Sequence, residues 1–422
     1  AGAGVDLARF VNGIAIGRRY GGEDRLMALA TAATSAAGEA AERLEVVTLP
    51  EPVAWDRIAG WVRLFSRNGQ ENRIERCLFT ARAKGEEGGI LPLLYECAAQ
   101  PGFLGFSGNF QTLGYLAELT RSFGWEHASE LTLNLGAKTV GQRRGEPQLF
   151  RRDAIEKMIS LRPEIDRAAQ AEGTRDEYDE DALVEAVSSV DIDRSFDAIA
   201  AALASGVRLE RLITTFVLLA ADRMARTPVN VDAGWECLTR ELNLARSLRA
   251  ARAEAGDRVA VMGLFHLAWQ LFDDRWLNIP ARPLGQTPEC SRRHSWRSQE
   301  EGIAAISRSV ETLQVADVGD QVLAYLRAGC DGSRLLHELG RLILWNDTGP
   351  ELLPTLGTIW EEWEGGGSGD EAAGAGHPSR AQLLVALARY ATDIRTNAES
   401  GSATTTAMRF AEGRTTVDVF DD

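Results

Sequence analysis

Apolar residues recur every three to four positions through most of this chain of 422 residues. That spacing places them on one face of an α-helix, whereas a half-buried strand alternates apolar and polar residues. Residues 53–67 show the helical pattern in one apolar stripe made of Val53, Ala54, Ile58, Trp61, Val62 and Phe65. Because strand alternation is nearly absent, the pattern predicts an all-α fold.

Short breaks rich in glycine, proline or acidic residues divide the helical segments. Glycines interrupt the pattern at Gly69, Gly124 and Gly206, and Asp191 is placed to cap the helix that stops at Gly206. Consecutive helices joined by short connections pack as antiparallel pairs. No fixed repeat period relates these pairs to one another. The prediction is therefore an irregular array of antiparallel helical hairpins.

An arginine-rich connector followed by an acidic segment interrupts the array between residues 142 and 180. A change of composition of this kind favours a boundary. We therefore predict an N-terminal helical half, residues 1–150, and a C-terminal helical half, residues 151–422. The two halves are expected to pack tightly, with a single domain as the alternative.

The segment 261–278 is apolar nearly all round, which is typical of a helix in the protein interior. One polar strip interrupts it, because His266, Gln270 and Asp273 stand at i, i+4 and i+7 on one face. Buried polar groups need partners, so the strip indicates a pocket wall or an edge that reaches water. With Asp274 it could form a proton shuttle; the alternative is a satisfied core histidine beside a charged helix end.

Acidic residues outnumber basic ones, which gives a net charge of −15 and a pI near 5.0. This balance argues against nucleic acid or an anionic membrane as a main partner. No apolar run has the length of a transmembrane helix, and the first residues lack the basic-then-apolar pattern of a signal peptide. We expect a cytoplasmic protein.

The cysteines and histidines are too scattered to suggest a metal site. There are five of each, the cysteines are never spaced as Cys-x-x-Cys, and no two histidines have metal-ligand spacing within a helix. Phosphate-binding loops, Gly-x-Gly-x-x-Gly, Gly-x-Ser-x-Gly and His-Glu-x-x-His are absent as well. We predict neither a metal nor a cofactor.

Five segments together resemble the all-helical region of some actinobacterial proteins described as Rieske-type iron–sulfur proteins. They are residues 61–80, 123–128, 274–283, 329–344 and 377–390. The resemblance implies the helical architecture more firmly than a reaction. It also implies that relatives carry histidines at three places where this chain has Asn109, Arg240 and Glu351, while His127 is kept. The Cys/His pairs of a Rieske cluster are absent.

The same resemblance implies a pocket on which His127, Arg240, Glu351 and Asn109 converge. The Arg240 guanidinium would offer a rigid fork to a carboxylate, phosphate or sulfate. Glu351 or His127 could take a proton. The alternative is a buried ion pair between Arg240 and Glu351 that holds helices together.

Further candidates come from aromatic residues and from the polar strip. Trp125 and Trp235 would be walls of the pocket, or else ordinary core residues. His266 is a further candidate for substrate binding, and Asp273 a further candidate for proton transfer.

Two local clusters of arginine stand out in this acidic chain: Arg143, Arg144, Arg151 and Arg152, and then Arg292, Arg293 and Arg297. They could dock a partner subunit or an acidic carrier protein that presents the substrate. The alternative is that they balance the acidic loops.

Three functions are compatible with these patterns. The first is an enzyme or enzyme subunit of bacterial specialised metabolism, free of metal and cofactor. It would act on a small anionic substrate by proton transfer, elimination or intramolecular displacement with ring closure. The second is a non-catalytic helical interaction scaffold, and the third is a metal-dependent oxidase related to the Rieske-associated helical proteins.

Overall fold

The structure is a computed structural model that describes residues 6–36, 48–50, 53–171, 173–228, 234–286, 294–346, 349, 351–365 and 376–394. It is 78% helical, with 18 α-helices and no strand among these residues. The prediction of an all-α fold is therefore confirmed.

The helices are, in chain order, α1 Leu7–Gly17, α2 Gly22–Ala36, α3 Trp55–Arg67, α4 Glu71–Ala83, α5 Glu87–Ala98, α6 Gly108–Val140, α7 Leu149–Ser160, α8 Arg162–Gln170, α9 Glu180–Val187, α10 Ile192–Ala204, α11 Leu209–Arg226, α12 Gly234–Ala255, α13 Asp257–Asp273, α14 Gln299–Glu311, α15 Val315–Arg327, α16 Gly332–Trp345, α17 Leu352–Glu364 and α18 Ala381–Asp393. Consecutive helices pack on each other in several places, including α1 with α2, α3 with α4, and α9 with α10.

The predicted helix boundaries have clear local causes. Gly124 interrupts α6 with φ 72° and ψ 159°, a backbone conformation that glycine adopts readily. Asp191 caps α10, because its Oδ1 accepts from the backbone N–H of Asp193 at 3.0 Å and of Arg194 at 3.3 Å. Gly206 follows α10 with φ 83°. These predicted breaks are confirmed.

The described residues divide into two compact units. Unit 1 lies within Ala1–Ala41, Ala221–Glu236 and Thr287–Asp422, and unit 2 within Glu42–Ala220 and Cys237–Gln286. Neither unit is a continuous half of the chain, so the expected boundary near residue 150 falls inside unit 2. The sequence pattern could not indicate this, because segments that are distant in the chain pack together in each unit.

Each unit has a central helix. In unit 2 residues 259–272 of α13 are all buried, and α8, α9 and α10 pack against that helix. In unit 1 residues 382–393 of α18 are all buried, and α14, α15, α16 and α17 pack against it. The apolar character of both helices explains these interior positions, because burying apolar area stabilises the fold by roughly 25 cal/mol per Å².

Candidate functional site

The beginning of α6 is the meeting point of several predicted site residues in unit 2. Asn109 is buried, and its Oδ1 accepts a hydrogen bond from Gln142 Nε2 at 2.9 Å. Phe110 packs its ring edge-on against His266, with 5.4 Å between the ring centroids. Gln111 Nε2 donates to the backbone carbonyl of Arg240 at 2.9 Å. Asn109, the His266 ring and the backbone of Arg240 therefore lie at or against the first turn of α6.

A buried hydrogen-bond chain runs beside this meeting point. Ser107 Oγ donates to Gln270 Oε1 at 2.6 Å, and Gln270 Nε2 donates to Asp274 Oδ2 at 2.6 Å. Only 3% of Asp274 is exposed. Because a buried carboxylate without hydrogen bonds is costly, the hydrogen bond from the Gln270 amide helps to stabilise Asp274 in the interior.

The polar strip of α13 ends at a different residue from the one that the sequence predicts. Asp273 is exposed, while Asp274 is the buried carboxylate that Gln270 contacts. Asp274 stands four residues after Gln270, and this spacing brings the two side chains together although α13 itself ends at Asp273.

Cys237 links the buried hydrogen-bond chain of Ser107, Gln270 and Asp274 to Arg240. Its half-exposed thiol donates a hydrogen bond to the Asp274 carboxylate, and burial followed by that carboxylate raises the pKa of Cys237 to about 12. The positive charge of Arg240 has the opposite effect and lowers the pKa of the same thiol. The half-exposed Cys237 thiol is therefore influenced by the charges of both Asp274 and Arg240.

His266 is a core histidine. Its Nε2 lies 3.3 Å from the Ala99 carbonyl, which can only accept, so Nε2 carries the proton. Nδ1 is buried and has no hydrogen-bond partner among the described residues. Burial lowers the pKa of His266 to about 4. The ring is therefore neutral near pH 7, which favours the core interpretation over the proton shuttle.

The other predicted residues of unit 2 are distributed over the second half of α6. His127 is exposed there. Trp125 lines a cleft of about 220 Å³, together with Arg121 and Glu254, whose side chains form an ion pair at 3.0 Å. Trp125 thus has the position of a cleft wall, although the cleft already contains its own ion pair.

Trp235 and Glu351 belong to unit 1, where the Trp235 ring packs against Tyr390 and the charge of Glu351 affects the pKa of Tyr390. The Trp235 ring packs 5.2 Å from the Tyr390 ring, and its indole N–H donates to the buried Asp393 carboxylate. Burial, followed by the charge of Glu351, raises the pKa of Tyr390. His127 and Arg240 belong to unit 2, so the convergence of Glu351 with these two residues stays a prediction.

The first arginine cluster has a structural role in part. Arg144 donates to the Ser66 and Arg67 carbonyls at 2.7 and 3.0 Å, and its guanidinium lies 3.8 Å from the Phe103 ring centroid. It therefore caps the C-terminal end of α3. Arg292 and Arg293 of the second cluster lie outside the described residues.

Two residues that the sequence interpretation did not single out are Ser107 and Cys237. Cys237 precedes Arg240 by one helical turn, and this spacing was the available signal. The contact of Ser107 with Gln270 joins residues 163 positions apart, which no local pattern reveals.

Comparison with models of known families, with curated proteins and with solved structures finds no match. Within the described residues, no three His, Cys, Asp or Glu side chains are grouped so that they could hold a metal ion. No described helix combines the length and the apolar character needed to cross a bilayer. The resemblance to the Rieske-associated helical proteins stays a prediction.

Proposed function

We propose that this chain is an enzyme or enzyme subunit that acts on a small anionic substrate in unit 2. Arg240 binds the anionic group, and Asp274 accepts a proton from the substrate. The observation that carries the proposal is the buried Asp274 carboxylate that Gln270 holds at 2.6 Å, and the charges of Asp274 and Arg240 both act on the half-exposed Cys237 thiol. The assignment to bacterial specialised metabolism rests on the sequence resemblance.

The proposed roles follow from the chemistry of each group. The Arg240 guanidinium can form two parallel hydrogen bonds with a carboxylate or phosphate. The Gln270 amide fixes the orientation of Asp274 by holding its Oδ2 atom. A carboxylate held in this way can act as a general base. Orienting a bound substrate for ring closure or elimination can contribute about 7–11 kcal/mol to the rate.

Asp274 replaces Asp273 as the proposed proton acceptor. Asp273 is exposed, whereas Asp274 is buried and hydrogen-bonded. The neutral Cys237 thiol is assigned no nucleophilic role, because the thiolate is the reactive form and its pKa is about 12.

Anion binding at Arg240 can be tested with inorganic phosphate as the probe. Binding to the folded state stabilises it by about 1.4 kcal/mol when the phosphate concentration is tenfold above the dissociation constant. We expect phosphate to raise the melting temperature of the wild type relative to chloride at equal ionic strength. The rise should vanish in Arg240→Ala and shrink in Arg240→Lys.

The matched control is Arg152→Ala, which removes an exposed arginine of unit 2. Each variant is compared with itself in phosphate and in chloride, so a change in its basal stability cancels. An equal phosphate effect in Arg240→Ala and the wild type would eliminate Arg240 as the anion-binding group.

A further inference from the structure

Unit 1 has a surface cleft that is separate from the residues discussed so far. The cleft lies between α14 and α16 and has a volume of about 780 Å³. Pockets that bind small molecules typically measure roughly 300–1,000 Å³. Its lining residues are Glu300, Ile303, Ala304, Ser307, Arg308, Glu311, Ser333, Arg334, His337 and Glu338.

The two helices run in the same direction along the cleft. Arg334 pairs with Glu300 at 2.8 Å near the beginning of both helices, and Ser307 Oγ lies 3.5 Å from Glu338 Oε1 further along both. The lining positions of α14 span residues 300–311, a length of about 16 Å at 1.5 Å per residue. The cleft is therefore long enough for a molecule with one or two rings.

The imidazole of His337 forms part of the cleft wall, and two aromatic rings support it from behind. The exposed His337 ring lies 4.3 Å from the Tyr20 ring, centroid to centroid, and the Tyr20 hydroxyl donates to the His337 carbonyl at 2.6 Å. Trp360 meets Tyr20 edge-on at 5.5 Å. These contacts hold the imidazole in place, while Ile303 and Ala304 add apolar surface from α14. Such a wall favours an aromatic ligand.

Two ion pairs account for most of the charges of the cleft, while Arg308 and Glu311 lie outside these two pairs. Glu300 pairs with Arg334, and Glu338 receives two hydrogen bonds from Arg341 at 2.7 and 3.1 Å. The charge of Glu311 also acts on Arg341. The Arg308 guanidinium forms no ion pair with a described residue.

We propose that this cleft binds a small aromatic carboxylate. The carboxylate pairs with Arg308, and the aromatic ring packs between His337 and the apolar surface of Ile303 and Ala304. A guanidinium fork matches the geometry of a carboxylate. This ligand site is independent of the proposed site at Arg240, which lies in unit 2.

The test uses 4-fluorobenzoate as the probe and follows its ¹⁹F relaxation as the full-length protein is titrated. The neutral probe 4-fluorobenzyl alcohol has the same ring without the charge. We expect saturable binding of 4-fluorobenzoate that is at least about tenfold weaker in Arg308→Ala, because a charge-assisted hydrogen bond is lost. The wild type should bind the neutral probe about as weakly as Arg308→Ala binds 4-fluorobenzoate.

Two controls separate this site from other effects. Arg25→Ala removes an exposed arginine of unit 1 that does not line the cleft, and Arg152→Ala removes an exposed arginine of unit 2. Both should bind 4-fluorobenzoate as the wild type does. Because Arg308 is exposed, its substitution should leave the melting temperature unchanged.

Three results would overturn the proposal. They are the absence of saturable 4-fluorobenzoate binding to the wild type, unchanged binding in Arg308→Ala, and equally tight binding of the neutral probe. The last result would assign the cleft to apolar contact, as in the docking of a partner helix.

Discussion

Replacing the Gln270 side chain should lower the free energy of unfolding of unit 2 by an easily measured amount. This side chain receives a hydrogen bond from Ser107 at 2.6 Å and donates one to Asp274 at 2.6 Å, and all three residues are buried. Replacement of Gln270 by leucine deprives the hydroxyl of its acceptor and the carboxylate of a donor. An unsatisfied buried group costs about 1–3 kcal/mol, and more when it is charged. We therefore expect a loss of about 3–5 kcal/mol.

The free energy of unfolding would be measured by chemical denaturation followed by circular dichroism. For a domain of this size, 1 kcal/mol corresponds to roughly 2–4 °C in melting temperature, so a decrease of roughly 10 °C is expected. Gln148→Leu changes an exposed glutamine of unit 2 and should alter stability by less than about 0.5 kcal/mol. A loss below about 1 kcal/mol for Gln270→Leu would refute the buried network as described.

Three further predictions concern single groups. The pKa of His266 falls from 6.5 to about 4 on folding, so the unfolded state binds the proton first as the pH decreases. Between pH 6.5 and pH 4 the wild type should therefore lose about 3 kcal/mol more than His266→Gln, measured by urea titration; equal losses in the two proteins would contradict this. Asp274→Asn should lower the pKa of Cys237 and so accelerate alkylation of this thiol at pH 9, measured by peptide mass spectrometry. An unchanged alkylation rate would show that the carboxylate does not act on the thiol. Arg144→Ala should cost about 1–3 kcal/mol because the carbonyl bonds and the Phe103 contact are lost, whereas Arg152→Ala, at an exposed position, should be nearly neutral.

The sequence predicts the helical class and the central helix of unit 2 because both depend on local periodicity. The period of apolar residues decides that α13 is helical and buried, and the backbone freedom of glycine decides that α6 breaks at Gly124. These properties are determined within a few turns of chain.

The details of the candidate site depend on tertiary contacts and were only partly predictable. Of the residues selected from the sequence, Asn109 lies at the beginning of α6, and the His266 ring and the Arg240 backbone contact that part of the helix. The buried carboxylate is Asp274 instead of Asp273; both have a spacing from Gln270 that a helix allows, and only the tertiary structure decides which of them is buried. The proximity of Cys237 to Asp274 requires α12 to pack beside the end of α13, and no spacing within one segment specifies it.

The central claim is that a small anion binds beside Arg240 and Asp274, and Cys237 can report this binding because the charges of both residues act on its thiol. The decisive measurement is the rate at which methyl methanethiosulfonate labels Cys237 as phosphate replaces chloride at constant ionic strength. Cys330, half-exposed in unit 1, is the internal control in the same digest. The account predicts saturable protection of Cys237 in the wild type and none in Arg240→Ala, with Cys330 unaffected in both. Labelling of Cys237 that is independent of phosphate in the wild type, or protection that persists in Arg240→Ala, would contradict it.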